Sequence, residues 1–409
     1  MRPVSVKKLF LALLLCLCAV LSACGNTSPV TTDPALTVDG TTAGTLGTTS
    51  DGTGVPGEDV PVQTGTTPGF HAATWSLGGD VDASDETEYD ITEPEELYAE
   101  QDVYLNYLSG YENEENETLG IRRVTAVCLN NNFKASRFQC GTADADVIFE
   151  IPMDYGTTML LAMYYNPNNI PKLGAVRSAV PAAVAVAEGF DAYLLHNGYL
   201  GGAKSVIEQF GTDHIDAEVD SDCFYSDSAI SYASSYAYSM FTTSARIVKS
   251  IPTLSAEGAH FVTDEIYRTP FVFREEFTKP IGNNAGRIRV FFGGFQPYFL
   301  YNSRTGLYER YQHGAPHVDT NTGETLAFEN VIILFADSEY KNNHIAYNIE
   351  GFGSGLYASG GKYVNVTWTK SAPESPLIIL DALGNELAIN KGHTFITFTS
   401  GMSSVEIRN

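Results

Sequence analysis

The feature that most constrains this chain is a long acidic stretch with few large apolar residues. Between residues 25 and 120 there are twenty Asp or Glu residues and not one Lys or Arg. Residues 26–79 consist mainly of Thr, Gly, Pro, Val and Asp, which cannot bury enough apolar surface to offset the entropy of ordering. We therefore predict that residues 24–105 form a disordered tether, about 50 Å in coil dimension, and that folding begins near Asn106.

The formal net charge of the chain is −25, and most of it belongs to this predicted tether. Residues 121–409 carry 29 acidic and 21 basic residues, so the folded part is only mildly acidic. Proteins that bind nucleic acid or anionic lipid headgroups need basic patches. The charge distribution therefore predicts that nucleic acid is not a partner.

Residues 1–23 have the layout of a secretory signal peptide. Three basic residues precede an apolar run at residues 9–19, and the sequence Leu-Ser-Ala-Cys ends at Cys24. The uncharged stretch 9–23 would rise only about 22 Å as a helix, which is less than the roughly 30 Å hydrocarbon core of a bilayer. A cleaved signal is therefore favoured over a permanent membrane span.

Leu-Ser-Ala-Cys resembles the lipobox of bacterial lipoproteins, in which the cysteine receives a diacylglyceryl group and becomes the first mature residue. The resemblance implies a lipid on Cys24 and a protein on the outer face of the cytoplasmic membrane. Each buried methylene contributes about 0.8 kcal/mol, so two or three acyl chains hold a protein on a bilayer. A chance match is the alternative, but Cys16 and Cys18 lack the small residues and the polar start that flank Cys24.

Three cysteines remain once Cys24 carries a lipid, namely Cys128, Cys140 and Cys223. Cys128 lies in an apolar, strand-like run and is predicted to be a buried thiol. A Cys128–Cys140 disulfide across a short loop is the alternative, and the redox state of all three stays open. Their spacing does not match a zinc site, and we predict no metal or cofactor.

The periodicity of residues 106–283 predicts an N-terminal α+β or α/β domain. Alternating apolar residues predict strands at 123–129, 146–150, 158–163 and 192–195. Helices are expected at 177–188, 203–210 and 231–250.

Residues 284–409 are predicted to form a mostly β C-terminal domain, after linker-like residues near 279–285. Strands are expected at 287–292, 331–335, 363–368, 377–380 and 394–398. The glycines at 351–355 are interpreted as a turn, and those at 359–362 as a bend before a strand.

Short motifs from residue 106 to residue 400 resemble the YerB-type lipoproteins, a family defined by the DUF3048 domain and its C-terminal companion. The matching stretches are 106–110, 130–131, 145–150, 174–179, His196, 313–319, 329–331, 353–355, 361–362 and Trp368. The resemblance implies an extracytoplasmic lipoprotein of Gram-positive type, but no particular reaction. Residues 155–159 and Val180 depart from the family pattern, and two cations that could have held a phosphate are missing.

Six residues are candidates for ligand binding: Asp146, Glu150, Arg177, His196, His317 and Asp319. A period of two puts Asp146 and Glu150 on one face of a strand, where they could accept a cation or a sugar hydroxyl. The pattern also resembles, faintly, that of the LytR-CpsA-Psr phosphotransferases. Structural pairing of these carboxylates with Arg177 or Arg137 is the simpler interpretation.

His313 and His317 stand four residues apart, which on a helix would suit a shared metal. Gly314 and Pro316 break any helix at this place. A solvent-facing turn in which Asp319 bonds local backbone is therefore favoured over a metal site.

The sequence contains no complete catalytic set, so a non-enzymatic binding or regulatory protein of the cell envelope is favoured. Its partner would be peptidoglycan, a wall polymer or an envelope enzyme. A phosphoryl-transfer or hydrolytic enzyme is the second hypothesis, and it requires Asp146, Glu150 and Arg177 to converge in one cleft. A solute-binding lipoprotein is the third, and it requires a ligand-sized cleft between the two domains.

Overall fold

A computed structural model describes residues 106–112, 123–154, 156–251, 270–341 and 344–409. The predicted signal peptide, Cys24 and the predicted tether lie outside the described residues. Within the described ranges, the helices are all too short or too polar to cross a membrane.

The centre of the fold is an eleven-stranded mixed sheet. Its strands in chain order are β1 (Thr125–Asn130), β2 (Val147–Asp154), β3 (Thr157–Tyr164), β5 (Tyr193–His196), β6 (His214–Asp216), β10 (Asn283–Asn284), β16 (Asn330–Phe335), β19 (Gly351–Ser359), β20 (Lys362–Lys370), β21 (Ile378–Leu380) and β23 (Thr394–Thr399). They lie in the order β10-β20-β19-β16-β23-β2-β3-β1-β5-β6, and β21 pairs with β20.

A second, six-stranded sheet is antiparallel throughout. It consists of β11 (Arg287–Val290), β12 (Tyr298–Asn302), β13 (Leu307–Gln312), β14 (Ala315–Pro316), β15 (Ala327–Phe328) and β24 (Val405–Arg408). The remaining strands form small sheets: β4 (Leu173–Gly174) with β7 (Tyr225–Ser226) and β8 (Met240–Thr242), β9 (Val272–Phe273) with β22 (Ala388–Ile389), and β17 (Ser338–Lys341) with β18 (His344–Tyr347).

The described helices are short and lie between residues 181 and 250. They are α1 (Pro181–Glu188), α2 (Ala203–Phe210), α3 (Ser228–Ala233) and α4 (Ser244–Ser250), and single 3-10 turns occur at Ser136–Phe138, Tyr236–Tyr238 and Met402–Ser404. The helix expected at 203–210 is confirmed. The helix expected from residue 177 begins only at Pro181, because a residue before proline avoids helical geometry and Val180 is extended.

The long helix predicted over residues 231–250 is wrong. Strand β8 interrupts it and pairs with β4 and β7. Side-chain caps then start each short helix separately, since Asp227 accepts backbone N–H bonds at the start of α3 and Thr243 accepts one at the start of α4. Local capping and strand pairing therefore outweigh the apparent helical pattern.

The middle strands of the central sheet, among them β1, β3, β16 and β23, are buried on both faces. Residues of α1 and α2, such as Val184 and Ile207, pack on one face together with Phe149 and Phe398. The six-stranded sheet packs on the other face, where Phe299 of β12 meets Phe395 of β23 with 5.0 Å between ring centroids. Burial on both faces explains why β16 contains the continuous apolar run Val331–Phe335 rather than an alternating pattern.

Strands from both halves of the chain share the central sheet. β2 pairs in parallel with β23, and Val147 lies opposite Thr394. The sheet-rich character predicted for the C-terminal half is confirmed, and the N-terminal half mixes helices with strands. The division into domains at residues 283 and 284 stays a prediction.

The turn predicted at residues 351–355 is wrong, since this segment begins the long strand β19. Its glycines permit close strand packing, because a Cβ on Gly355 would lie 2.5 Å from the carbonyl oxygen of Ile333. The bend predicted at 359–362 is confirmed. Gly360 and Gly361 have φ of +57° and +79° and form the two-residue turn between β19 and β20.

Candidate functional site

A buried ion pair lies between the two large sheets. Nη2 of Arg310, in β13, donates a hydrogen bond to Oε1 of Glu150, in β2, over 2.7 Å, and neither residue is exposed. The alternation of β13 turns Arg310 to the same buried face as Tyr308 and Gln312. A buried charge is tolerated only when it is paired and hydrogen-bonded.

Neutral groups complete the surroundings of this carboxylate. Oγ1 of Thr158 and Nδ2 of Asn131 donate to Oε1 of Glu150 over 2.8 and 3.1 Å. Three donors therefore converge on one carboxylate oxygen, which compensates for part of its lost hydration.

On its other side, Arg310 organises His317 and Gln312. Its Nη1 donates to Oε1 of Gln312 over 2.7 Å and to Nδ1 of His317 over 2.5 Å. Because a guanidinium only donates, Nδ1 of His317 is the accepting nitrogen and the ring proton is on Nε2, which donates to Oε1 of Gln139. Burial, followed by the charge of Arg310, lowers the pKa of His317 well below its ordinary value, so the ring is neutral.

We call this set the Arg310 cluster, and define it as Asn131, Gln139, Glu150, Thr158, Arg310, Gln312 and His317. Three of its buried atoms have no hydrogen-bond partner among the described residues: Oε2 of Glu150, Nε of Arg310 and Nε2 of Gln312. The bond to Arg310 fixes the amide orientation of Gln312, because Oε1 must face the guanidinium. Both N–H groups on the buried Nε2 are therefore left without an acceptor among the described residues, which is uncommon for a buried amide.

A cavity of about 690 Å³ adjoins the Arg310 cluster. It is lined by parts of three segments, residues 133–137, 233–234 and 312–320, and Gln312 and His317 belong to both the cavity and the cluster. Lys134 and Arg137 supply positive charge, and none of the described residues that line the cavity carries a carboxylate. This volume lies within the range of small-molecule sites.

Glu150 and His317 are thus brought together, with Arg310 as the bridge between them. The expectation that His317 lies in a solvent-facing turn is wrong, because its exposed fraction is 2%. Glu150 pairs with Arg310, so the partner predicted for it, Arg177 or Arg137, is wrong.

Asp319 holds the loop that carries His317. Its Oδ1 accepts from the backbone N–H of Asn321 over 2.7 Å, which is the local bonding that the sequence predicted. Its Oδ2 accepts from Oγ1 of Thr142 and from the N–H of Ala143 over 3.1 and 2.9 Å. Asp319 is fully buried, and it fixes the His317 loop against the segment after Gln139.

Asp146 has a separate set of contacts. Its oxygens accept from Nδ2 of Asn106 over 2.7 Å and from the N–H of Tyr165 over 2.8 Å, and burial raises its pKa. Four residues along a strand separate it from Glu150 by about 13 Å. The backbone N–H of Arg177 donates to the carbonyl of Cys128 over 2.9 Å. These contacts give no support to a cleft shared by Asp146, Glu150 and Arg177.

His196 lies at the end of β5 in another polar group. Its Nε2 bonds to Nδ1 of His214 and its Nδ1 bonds to the carbonyl of Gly198, both over 2.9 Å. Burial lowers the pKa of His196 to about 4. Asp216 accepts from the N–H of Gly198, so the group fixes the turn after β5.

Cys128, Cys140 and Cys223 are free and buried, so the alternative Cys128–Cys140 disulfide is wrong. Burial raises the pKa of Cys128 and of Cys140 to about 12, and that of Cys223 to about 11. These thiols are protonated and poorly reactive near neutral pH. Across the described ranges, three or more His, Cys, Asp or Glu side chains do not come together as a metal site.

Sequence reasoning missed Arg310, Gln312 and Gln139. Period-two alternation in β13 does indicate that Tyr308, Arg310 and Gln312 share a face. The sequence does not show which face is buried, since Leu307, Glu309 and Tyr311 form an equally plausible inner face.

Comparisons with known proteins give the family. Residues 108–257 match "Protein of unknown function (DUF3048) N-terminal domain", and residues 288–396 match the corresponding C-terminal domain. The chain belongs to the DUF3048 family. The resemblance inferred from its motifs is thereby confirmed.

Two comparisons with single proteins agree with this family. The chain is 26% identical over 255 residues, 60% of its length, to a protein of Bacillus subtilis (strain 168) named "Putative lipoprotein YerB", and the match covers 73% of that relative. It is also similar to the crystal structure of the YerB protein from Bacillus subtilis, with a TM-score of 0.62, 22% identity, and coverage of 75% of this chain and 99% of that one. The structural likeness shows the fold.

The neutral, buried state of His317 predicts a dependence of stability on pH. The unfolded chain binds a proton on this ring below about pH 6.5 while the folded chain does not, so stability falls as the pH drops through that value. This ring contributes up to about 1.4 kcal/mol per pH unit. In urea unfolding from pH 7.5 to 5, His317→Gln should lose less free energy of unfolding than the wild type, and parallel pH profiles would contradict the assignment.

Proposed function

We propose that this chain is a lipid-anchored binding protein of the bacterial cell envelope that holds its ligand in the cavity beside the Arg310 cluster. The observation that supports this most is Gln312. Gln312 lines the cavity and is 4% exposed, and its buried Nε2 has no acceptor among the described residues. A buried donor without a partner costs about 1–3 kcal/mol, and a ligand acceptor at this place would remove that cost.

Binding fits the site better than catalysis does. Glu150 is held by three donors, and both ring nitrogens of His317 are engaged by Arg310 and Gln139. A general acid or base must be able to reach and exchange a substrate proton. In this site those groups instead support the wall of the cavity.

The proposed anchor is a lipid on Cys24, which places the folded part on the outer face of the cytoplasmic membrane. The lipobox-like sequence before Cys24 and the lipoprotein name of the Bacillus subtilis relative support it. From that position peptidoglycan and wall polymers are the nearest abundant ligands. An envelope enzyme is the proposed partner if wall material does not bind.

The anchor predicts a defined chemical change at one residue. Mass spectrometry of the N-terminal peptide from full-length protein made in a Gram-positive host should find Cys24 as the first residue with a diacylglyceryl group attached. Cys24→Ala should abolish the modification and release the protein from washed membranes, because the acyl chains supply the membrane affinity. An unmodified cysteine in a membrane-retained wild type would contradict the proposal.

The binding function predicts retention on cell wall through the cavity. Detergent-solubilised, full-length protein should co-sediment with purified cell wall, and the pair Lys134→Glu and Arg137→Glu should lower the retained fraction about tenfold through like-charge repulsion. Lys204→Glu with Arg304→Glu is the matched control, because both residues are exposed, lie outside the cavity and change the charge equally.

The control should retain wild-type binding. No co-sedimentation of the wild type would remove wall material as the ligand, and the proposal would then rest on an envelope protein. Equal loss in both double variants would show that binding follows net charge, which would contradict a role for the cavity.

A further inference from the structure

We infer that the ligand of this cavity is an acidic sugar unit, recognised through its carboxylate, its hydroxyls and one apolar ring face. The inference rests on the proposed binding function and specifies its ligand. It combines three independent features of the lining: two cations, one amide donor and one exposed aromatic ring.

The charge of the lining favours an anion. Lys134 and Arg137 are exposed at the cavity, and the charge of Arg310 behind it is matched by Glu150. Residues 121–409 carry 29 acidic and 21 basic residues, so a lining with two cations and no carboxylate is a local excess of positive charge on a mildly acidic folded part. A neutral ligand would gain no ionic interaction with Lys134 and Arg137.

Gln312 favours a ligand with oxygen acceptors. Its Oε1 is committed to Arg310, and so Nε2 offers only donors. A carboxylate or a hydroxyl oxygen can accept from it, whereas an acyl chain would leave the amide unsatisfied. Gln312 therefore favours an oxygen-bearing occupant over a purely apolar one.

The aromatic part of the lining favours a ring with an apolar face. Phe133 lines the cavity with 69% of its surface exposed, and its ring contacts that of His313 edge-on with a centroid distance of 5.1 Å. His313 in turn contacts Phe295 at 4.8 Å, so the exposed ring stands on a packed support. A pyranose has one face of C–H groups that can cover such a ring, and inorganic phosphate does not.

The test is calorimetric titration of detergent-solubilised, full-length protein with D-glucuronate, D-glucose and inorganic phosphate. Glucuronate should bind, and both glucose and phosphate should bind at least about tenfold more weakly, since each lacks one of the recognised features. Phe133→Ala should weaken glucuronate binding about fivefold while leaving any phosphate binding unchanged.

Gln312→Glu tests the amide donor specifically. The variant keeps an oxygen that can accept from Arg310, and it replaces the donating Nε2 group by a carboxylate oxygen. It should weaken glucuronate binding about tenfold or more, with the unfolding transition retained. Gln209→Glu is the matched control, since this exposed glutamine of α2 lies outside the cavity, and it should bind glucuronate like the wild type.

Equal affinity for glucose and glucuronate would overturn the anionic assignment, and equal affinity for phosphate and glucuronate would overturn the sugar assignment. Unchanged glucuronate binding by Gln312→Glu would contradict binding in this cavity. Retention on cell wall without glucuronate binding would contradict this inference and leave the proposed function standing. Glucuronate binding without wall retention would confirm the ligand class and contradict the wall as partner.

Discussion

The pairing of Glu150 with Arg310 is the constraint on which the rest of this structure depends. It joins the central sheet to the six-stranded sheet at a place where neither side chain is exposed. Desolvation of two ions is costly, and the bonds from Thr158 and Asn131 offset part of that cost. We therefore expect this pair to specify one register between the sheets more than it adds stability.

The cavity follows from this pairing. Arg310 orients Gln312 and His317 through a single nitrogen, and the loop that carries His317 is fixed in turn by Asp319. Part of the cavity wall, namely Gln312, Ala315 and Pro316, therefore belongs to strands β13 and β14 of the six-stranded sheet rather than to loops. If the proposed ligand binds here, this part of the wall is already formed before binding.

The sequence predicted most of the strands of the central sheet, because strands buried on both faces are recognisable as apolar runs. It failed where local chemistry decided the outcome. Helix α1 begins at Pro181 rather than at residue 177. The helix predicted over residues 231–250 is replaced by separate short helices capped by Asp227 and Thr243. The glycines near Gly355 lie in strand β19 and permit close strand packing instead of forming a turn.

The candidate site was predictable only in part. Glu150 and His317 were recognisable as unusual polar residues in apolar or motif-like surroundings. Their common partner was not, because Arg310 is 160 residues from Glu150 in the chain and only sheet packing brings them together. The spacing of residues within one segment cannot reveal such a long-range contact. The sequence pattern therefore predicted Arg177 as a partner instead of Arg310.

A double-mutant cycle on Glu150 and Arg310 measures the coupling between the two sheets. Glu150→Leu and Arg310→Leu should each lower the free energy of unfolding by about 3–5 kcal/mol, because each leaves a buried charge unpaired. The double variant should cost at least about 2 kcal/mol less than the sum of the two. Additivity within about 0.5 kcal/mol would contradict a direct coupling of the two sheets through this pair.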